Sequence, residues 1–82
     1  MVNPNNTSLA AMMKDRHPSI QHFGRFFDYA HLPPHLQVIS KPFAYLAAEL
    51  LEKIEDGPEL TVGLRKLVEA KDCCVRAALP PK

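Results

Sequence analysis

Cys73 and Cys74 are the only cysteines in the chain, and they are adjacent. Neighbouring side chains on a helix point about 100° apart, so these two cannot close an ordinary disulfide without breaking the helix. They read as small, semi-apolar helix residues kept reduced in a cytoplasm. His17, His22, His31 and His35 have no finger-like spacing, and Pro33-Pro34 interrupts the only i,i+4 pair, so no metal site is expected. Glu49, Glu52, Glu55 and Asp56 crowd one helix end, where acids usually form a solvated face, and no inward pair of Glu-x-x-His motifs joins them. The three glycines are isolated, and neither a phosphate-cradling loop, a zincin helix nor a Gly-x-Ser-x-Gly elbow occurs. No catalytic residue and no cofactor is therefore expected.

What remains is binding chemistry. Phe23, Phe26, Phe27 and Tyr29 place four of the six aromatics within seven residues, interrupted by Gly24. The phenylalanines read as packing groups, whereas Tyr29 sits at the cluster's edge beside Asp28 and His31 and carries a polar handle. Lys41 precedes Pro42 and flanks an apolar stripe on the side opposite Phe43, where a cation could reach a ligand. Lys71 falls in register with Leu64 and Ala78, inside an apolar arc, where an ammonium is costly unless it snorkels or meets an anion.

Two long helices must position these groups, and the fold expected is all-α: an antiparallel helical hairpin with a short amino-terminal helical arm. Pro33-Pro34 opens the first helix, because proline fits a first turn whose N–H has no partner. Leu36, Ile39, Phe43, Leu46, Leu50 and Ile54 recur at spacings of three and four, which predicts one continuous buried stripe. Pro42 predicts a kink, or a restart capped by Ser40. In Glu55-Asp56-Gly57-Pro58 the glycine is expected to end the first helix and the proline to open the second. So short a connection makes the helices antiparallel neighbours.

The second helix runs from about Pro58 to Leu79, with Leu60, Leu64, Leu67 and Cys74 as its main stripe. Gly63, Ala70 and Ala77 form a column of small residues beside it, which would let a neighbouring helix approach closely. Arg65, Glu69, Asp72 and Arg76 are spaced to pair as a solvated ladder. Residues 1–18 form a weakly ordered arm, with Ser8 capping a short helix that stops near His17-Pro18. The hairpin domain occupies residues 19–82.

Eighty-two residues with 46% hydrophobic and 23% charged content describe one globular domain. A single core below roughly 70–80 residues rarely supplies more than about 3–5 kcal/mol, so a chain of this size needs support. With disulfides and metal set aside, oligomerisation is the support expected. Val68, Val75 and Leu79 on one helix, and Tyr45, Ala48 and Leu51 on the other, give each more apolar surface than one partner helix covers. A net charge of +1 gives no field for gripping duplex nucleic acid, although a few local cations suffice for a small anion. No apolar run reaches membrane length and no basic start precedes one, so the protein is expected in the cytoplasm where it is made.

Phe27-Asp-Tyr29-Ala-His31-Leu-Pro33-Pro34, the helix carrying Ile39-Ser-Lys41 and Leu46-Ala, the acid-Gly-Pro turn, and Leu64-Arg-Lys-Leu67-Val-Glu-Ala70 with Val75-Arg76-Ala77 resemble the helical-hairpin sponge proteins of bacteriophages. The resemblance covers about residues 23–79. Those proteins counter anti-phage defences that signal through cyclic oligonucleotides, sequestering cyclic di- and trinucleotides between the protomers of compact homo-oligomers, often hexamers, without cleaving them. The resemblance implies that Tyr29 stacks on a base and Lys41 meets phosphate in the host bacterial cytoplasm. It implies supporting ligand contacts from His31, Arg65 and Arg76. A cyclic dinucleotide carries two phosphates and two flat bases, so its binder needs a few cations and stacking surfaces and no net basicity. The alternative reading is a helical protein-interaction module or small phage regulator. A DNA-binding helix-turn-helix is disfavoured by the length of both helices and the mixed charge of the second.

Overall fold

The computed structural model describes residues 9–80. The protein is all-α. Short helices α1 (Leu9–Met12) and α2 (Pro18–Gln21) and a 3₁₀ turn (Gly24–Phe27) precede two long helices, α3 (Pro34–Lys53) and α4 (Pro58–Ala77), which pack as a hairpin. Both long helices begin with proline at the first turn, Pro34 after Pro33 and Pro58 after Gly57, as their missing N–H groups allow.

The buried face of α3 is made mostly of small residues. The buried positions of α3 are Leu36, Ser40, Ala44, Ala47, Ala48 and Leu51, and those of α4 are Leu60 and Leu64. The stripe expected on α3 is therefore rotated. Ile39, Phe43 and Leu50 are half-buried, and Leu46 and Ile54 are both 43% exposed. Small side chains let neighbouring elements approach α3 closely, and the larger residues flank that face. On α4 the expected stripe also falls short: Leu67 is half-buried and Cys74 is exposed, as is Cys73.

Pro42 does not restart α3, which runs unbroken through it, and Ser40 is buried in place of capping a new helix. A proline here strips the bond from the carbonyl of Val38, and Val38 is 66% exposed, so water can take that bond. Gly57 also has a different role from the one expected. α3 ends at Lys53 with Ile54 extended, and Gly57 is the cap before α4.

The end of α3 is held by the amino-terminal arm. Arg16 donates from Nη1 to the Leu51 carbonyl and from Nη2 to the Ile54 carbonyl, both at 2.8 Å, and pairs through Nε with Asp56. The other Asp56 oxygen accepts the backbone N–H of His17 at 2.7 Å. These bonds satisfy carbonyls that a helix end leaves without partners and fix residues 16–17 to the hairpin turn. Ser8, expected as a cap, lies outside the described residues. Within the described part of the arm the helix stops at Met12, ahead of His17-Pro18, and Leu9 and Met13 are fully packed into the core. Phe23 and Phe27 join them as packing groups, with Ile20, whereas Phe26, expected to pack as well, is 39% exposed. Residues 9–18 thus share one core with the hairpin.

Candidate functional site

Tyr29 follows the 3₁₀ turn on an extended Asp28 and lies in the loop that leads into α3. The Leu32 N–H donates to its carbonyl at 3.0 Å, and Gln37, one turn into α3, reaches back with Nε2 to the Leu32 carbonyl at 2.8 Å. The loop is thereby fixed to the helix that carries Lys41. Tyr29 is only 8% exposed. Burial, then the charge and hydrogen bond of Tyr45, push its phenol above the ordinary range, so it stays neutral.

Lys41 and Tyr45 are one turn apart on the same face of α3, as i,i+4 residues are. The Lys41 Nζ lies 6.0 Å from the Tyr29 ring centroid and 5.8 Å from that of Tyr45, at the outer range of a cation–π contact. Lys41 forms no ion pair with a described residue. The cluster therefore presents one cation between two aromatic rings, with Tyr45, 40% exposed, as its accessible ring. That combination can accept a phosphate beside a flat base.

His31 and Arg76 come together elsewhere, in a cleft of about 350 Å³ that Arg25 and Lys71 also line, along with Asp28 and Asp72. Three permanent cations against two carboxylates leave the cleft weakly cationic. Some of that charge is engaged: Lys71 pairs with Asp72 at 2.7 Å, Arg25 lies 5.1 Å over Phe26, and Arg76 donates to the Cys73 sulfur at 3.4 Å. The half-buried Lys71 thus meets an anion, as its place in the apolar arc requires. Arg65 belongs to neither group and lies 5.7 Å over the Phe23 ring. The charge ladder expected on α4 does not form. Among the described residues the ion pairs are Arg16–Asp56, Glu49–Lys53 and Lys71–Asp72, because the two arginines face aromatic and sulfur neighbours.

The five residues singled out in the sequence therefore fall in three places: Tyr29 with Lys41, His31 with Arg76, and Arg65 by itself. Tyr45 and Arg25 were missed as site residues. Tyr45 had a readable signal, its i,i+4 spacing from Lys41, whereas Arg25 reaches the cleft only through the loop's tertiary placement. Among the described residues no three His, Cys, Asp or Glu side chains gather as metal donors, and no helix is long and apolar enough to cross a membrane. Compared with known proteins, the chain matches no family model, no curated protein and no solved structure.

Proposed function

We propose that this chain is a self-associating, non-catalytic binding protein that sequesters cyclic di- or trinucleotide messengers at its subunit interfaces, as the phage sponge proteins it resembles do, and so starves a host defence effector of its signal. The observation that carries this reading is Lys41, a cation held between the rings of Tyr29 and Tyr45 and unneutralised by any described carboxylate. A phosphate meets the ammonium and a base lies on Tyr45, while the buried Tyr29 braces the lysine from the core side. The cleft around His31 and Arg76 offers a second weakly cationic surface. Apolar residues left outside the hairpin supply the association that would bring such surfaces together.

Calorimetric titration with a panel of cyclic di- and trinucleotides tests the reading. Lys41→Ala is expected to weaken binding by about 1.5–3 kcal/mol, the scale of a charge-assisted hydrogen bond, with an unchanged melting temperature. Bound nucleotide is expected to be recovered intact after denaturation. Linear products accumulating with protein would refute sequestration. No heat from any member of the panel would favour a second reading, a helical protein-docking module, for which the exposed Leu46, Ile54 and Val62 speak.

A further inference from the structure

We propose that the edge of α4 carrying Gly63 is a self-docking surface, which takes the same edge of a second copy in antiparallel orientation about a two-fold axis beside Gly63. Gly63 lies six residues into α4, where glycine weakens a helix relative to alanine. Nothing among the described residues asks for it. Gly63 has no positive φ, and a Cβ built on it meets no described atom within 4 Å. A residue kept small where its own chain leaves open space fits a surface that another backbone approaches closely.

The surroundings say which backbone. A groove of about 470 Å³ runs beside Gly63, lined by Leu50 and Ile54 of α3 and by Leu60, Leu67 and Ala70 of α4. Leu50 is half-buried and Ile54 is 43% exposed, so both lie at the margin of the buried face of α3. Glu59 and Lys66 also border the groove, and neither forms an ion pair with a described residue. Seven residues apart, they are separated by about 10 Å along the helix, too far to pair with each other. An axis midway between positions 62 and 63 sets Glu59 of each copy level with Lys66 of the other. Two ion pairs then flank a crossing at Gly63, over a shared apolar strip. The pattern is self-complementary, as a two-fold interface requires. A partner of different sequence would match these charges only by coincidence, so the occupant is a second copy of this chain.

This inference rests on the self-association in the proposed function and is independent of its ligand. Sedimentation velocity and light scattering on the full chain, without nucleotide, test it. The wild type is expected to assemble at micromolar concentration. Gly63→Leu is expected to weaken assembly by about tenfold or more through overpacking, while circular dichroism reports an intact helical fold. Gly63→Ala raises helix stability and weakens assembly together, a combination that a purely intramolecular role for Gly63 does not produce. Glu59→Lys and Lys66→Glu each juxtapose like charges and are expected to cost about tenfold in association, and the double swap restores it. A monomer at roughly 100 µM, a Gly63→Leu variant that assembles like wild type, or a double swap no better than the single changes would overturn the proposal. Titrating the same variants with the nucleotide panel separates the two readings. Assembled protein that binds no nucleotide refutes the ligand and leaves this surface standing, whereas a monomer that binds nucleotide does the reverse.

Discussion

Arg16→Ala tests whether the amino-terminal arm is part of the folded unit or an appendage. Arg16 donates to the Leu51 and Ile54 carbonyls, each at 2.8 Å, and pairs with Asp56, and its own side chain is 20% exposed. Hydrogen bonds to charged groups reach about 1.5–3 kcal/mol when water is excluded. The Leu51 bond is half-buried, so about 1–1.5 kcal/mol is assigned to it, whereas the Ile54 bond and the ion pair are exposed and together contribute about 0–1 kcal/mol. The expected loss is about 2 kcal/mol. For a domain of this size that corresponds to a melting temperature lower by roughly 8–16 °C. Urea unfolding should show a lower midpoint at unchanged slope, measured at several protein concentrations because the proposed association would add to apparent stability. Arg16→Lys should recover only part of the loss, since a single ammonium cannot reproduce the guanidinium fork. If Arg16→Ala stays within about 0.5 kcal/mol of wild type, the range of an ordinary surface change, the clasp carries no weight and the arm is an appendage.

Acid sensitivity follows from the same contact. The His17 backbone N–H, then Arg16, hold the Asp56 carboxyl below the usual carboxylate range, so the folded state binds its proton less readily than the unfolded chain does. The stabilisation is complete above the ordinary aspartate value of about 4 and declines as pH falls through it toward the lower folded value. Wild type should therefore lose stability over that window more steeply than Asp56→Asn, and parallel urea midpoints would reject the linkage. Ser40→Ala should raise stability by about 1 kcal/mol, because the hydroxyl is buried without a partner among the described residues and alanine is the better helix former; a lower melting temperature would mean that Ser40 finds a partner in solution. Tyr45→Ala should reduce nucleotide affinity by about 1–3 kcal/mol, the scale of base–aromatic stacking, and unchanged calorimetric affinity would remove Tyr45 from the site.

The hairpin itself was legible because its signals are local. Pro34 and Pro58 mark helix starts by chemistry that acts within one turn, and the short acidic Gly-Pro connection leaves little choice but an antiparallel pair. The buried face was less legible. Residues 36, 39, 43, 46, 50 and 54 and residues 36, 40, 44, 47, 48 and 51 both repeat at helical spacing, and hydrophobicity favours the first set because it holds the larger side chains. Close packing favours the second, since Ala44, Ala47 and Ala48 let neighbouring elements approach α3. The arm's role was not legible at all, because Arg16 meets Leu51, Ile54 and Asp56 across 35 to 40 residues of chain, and no local pattern encodes a contact of that span. Lys41 with Tyr29 emerged from the resemblance, while Tyr45 waited on seeing which side of α3 faces the loop.

The rotation of α3 bears on the candidate site as well as on the core. Burying Ser40, Ala44, Ala47, Ala48 and Leu51 leaves Leu46 and Ile54 partly outside, and the same turn of the helix brings Lys41 and Tyr45 beside the buried Tyr29. The surplus expected at Ala48 and Leu51 is absent, since both are buried, and Leu46 and Ile54 supply outer apolar surface on α3 instead. The choice of small residues for the buried face of α3 therefore has two linked consequences. It sets the cation between two tyrosines, and it leaves apolar surface whose exposure to water is costly until another helix covers it. A chain whose core is limited by its length would gain stability by association, so burial of that outer surface and completion of an interfacial ligand site would be driven by the same free energy.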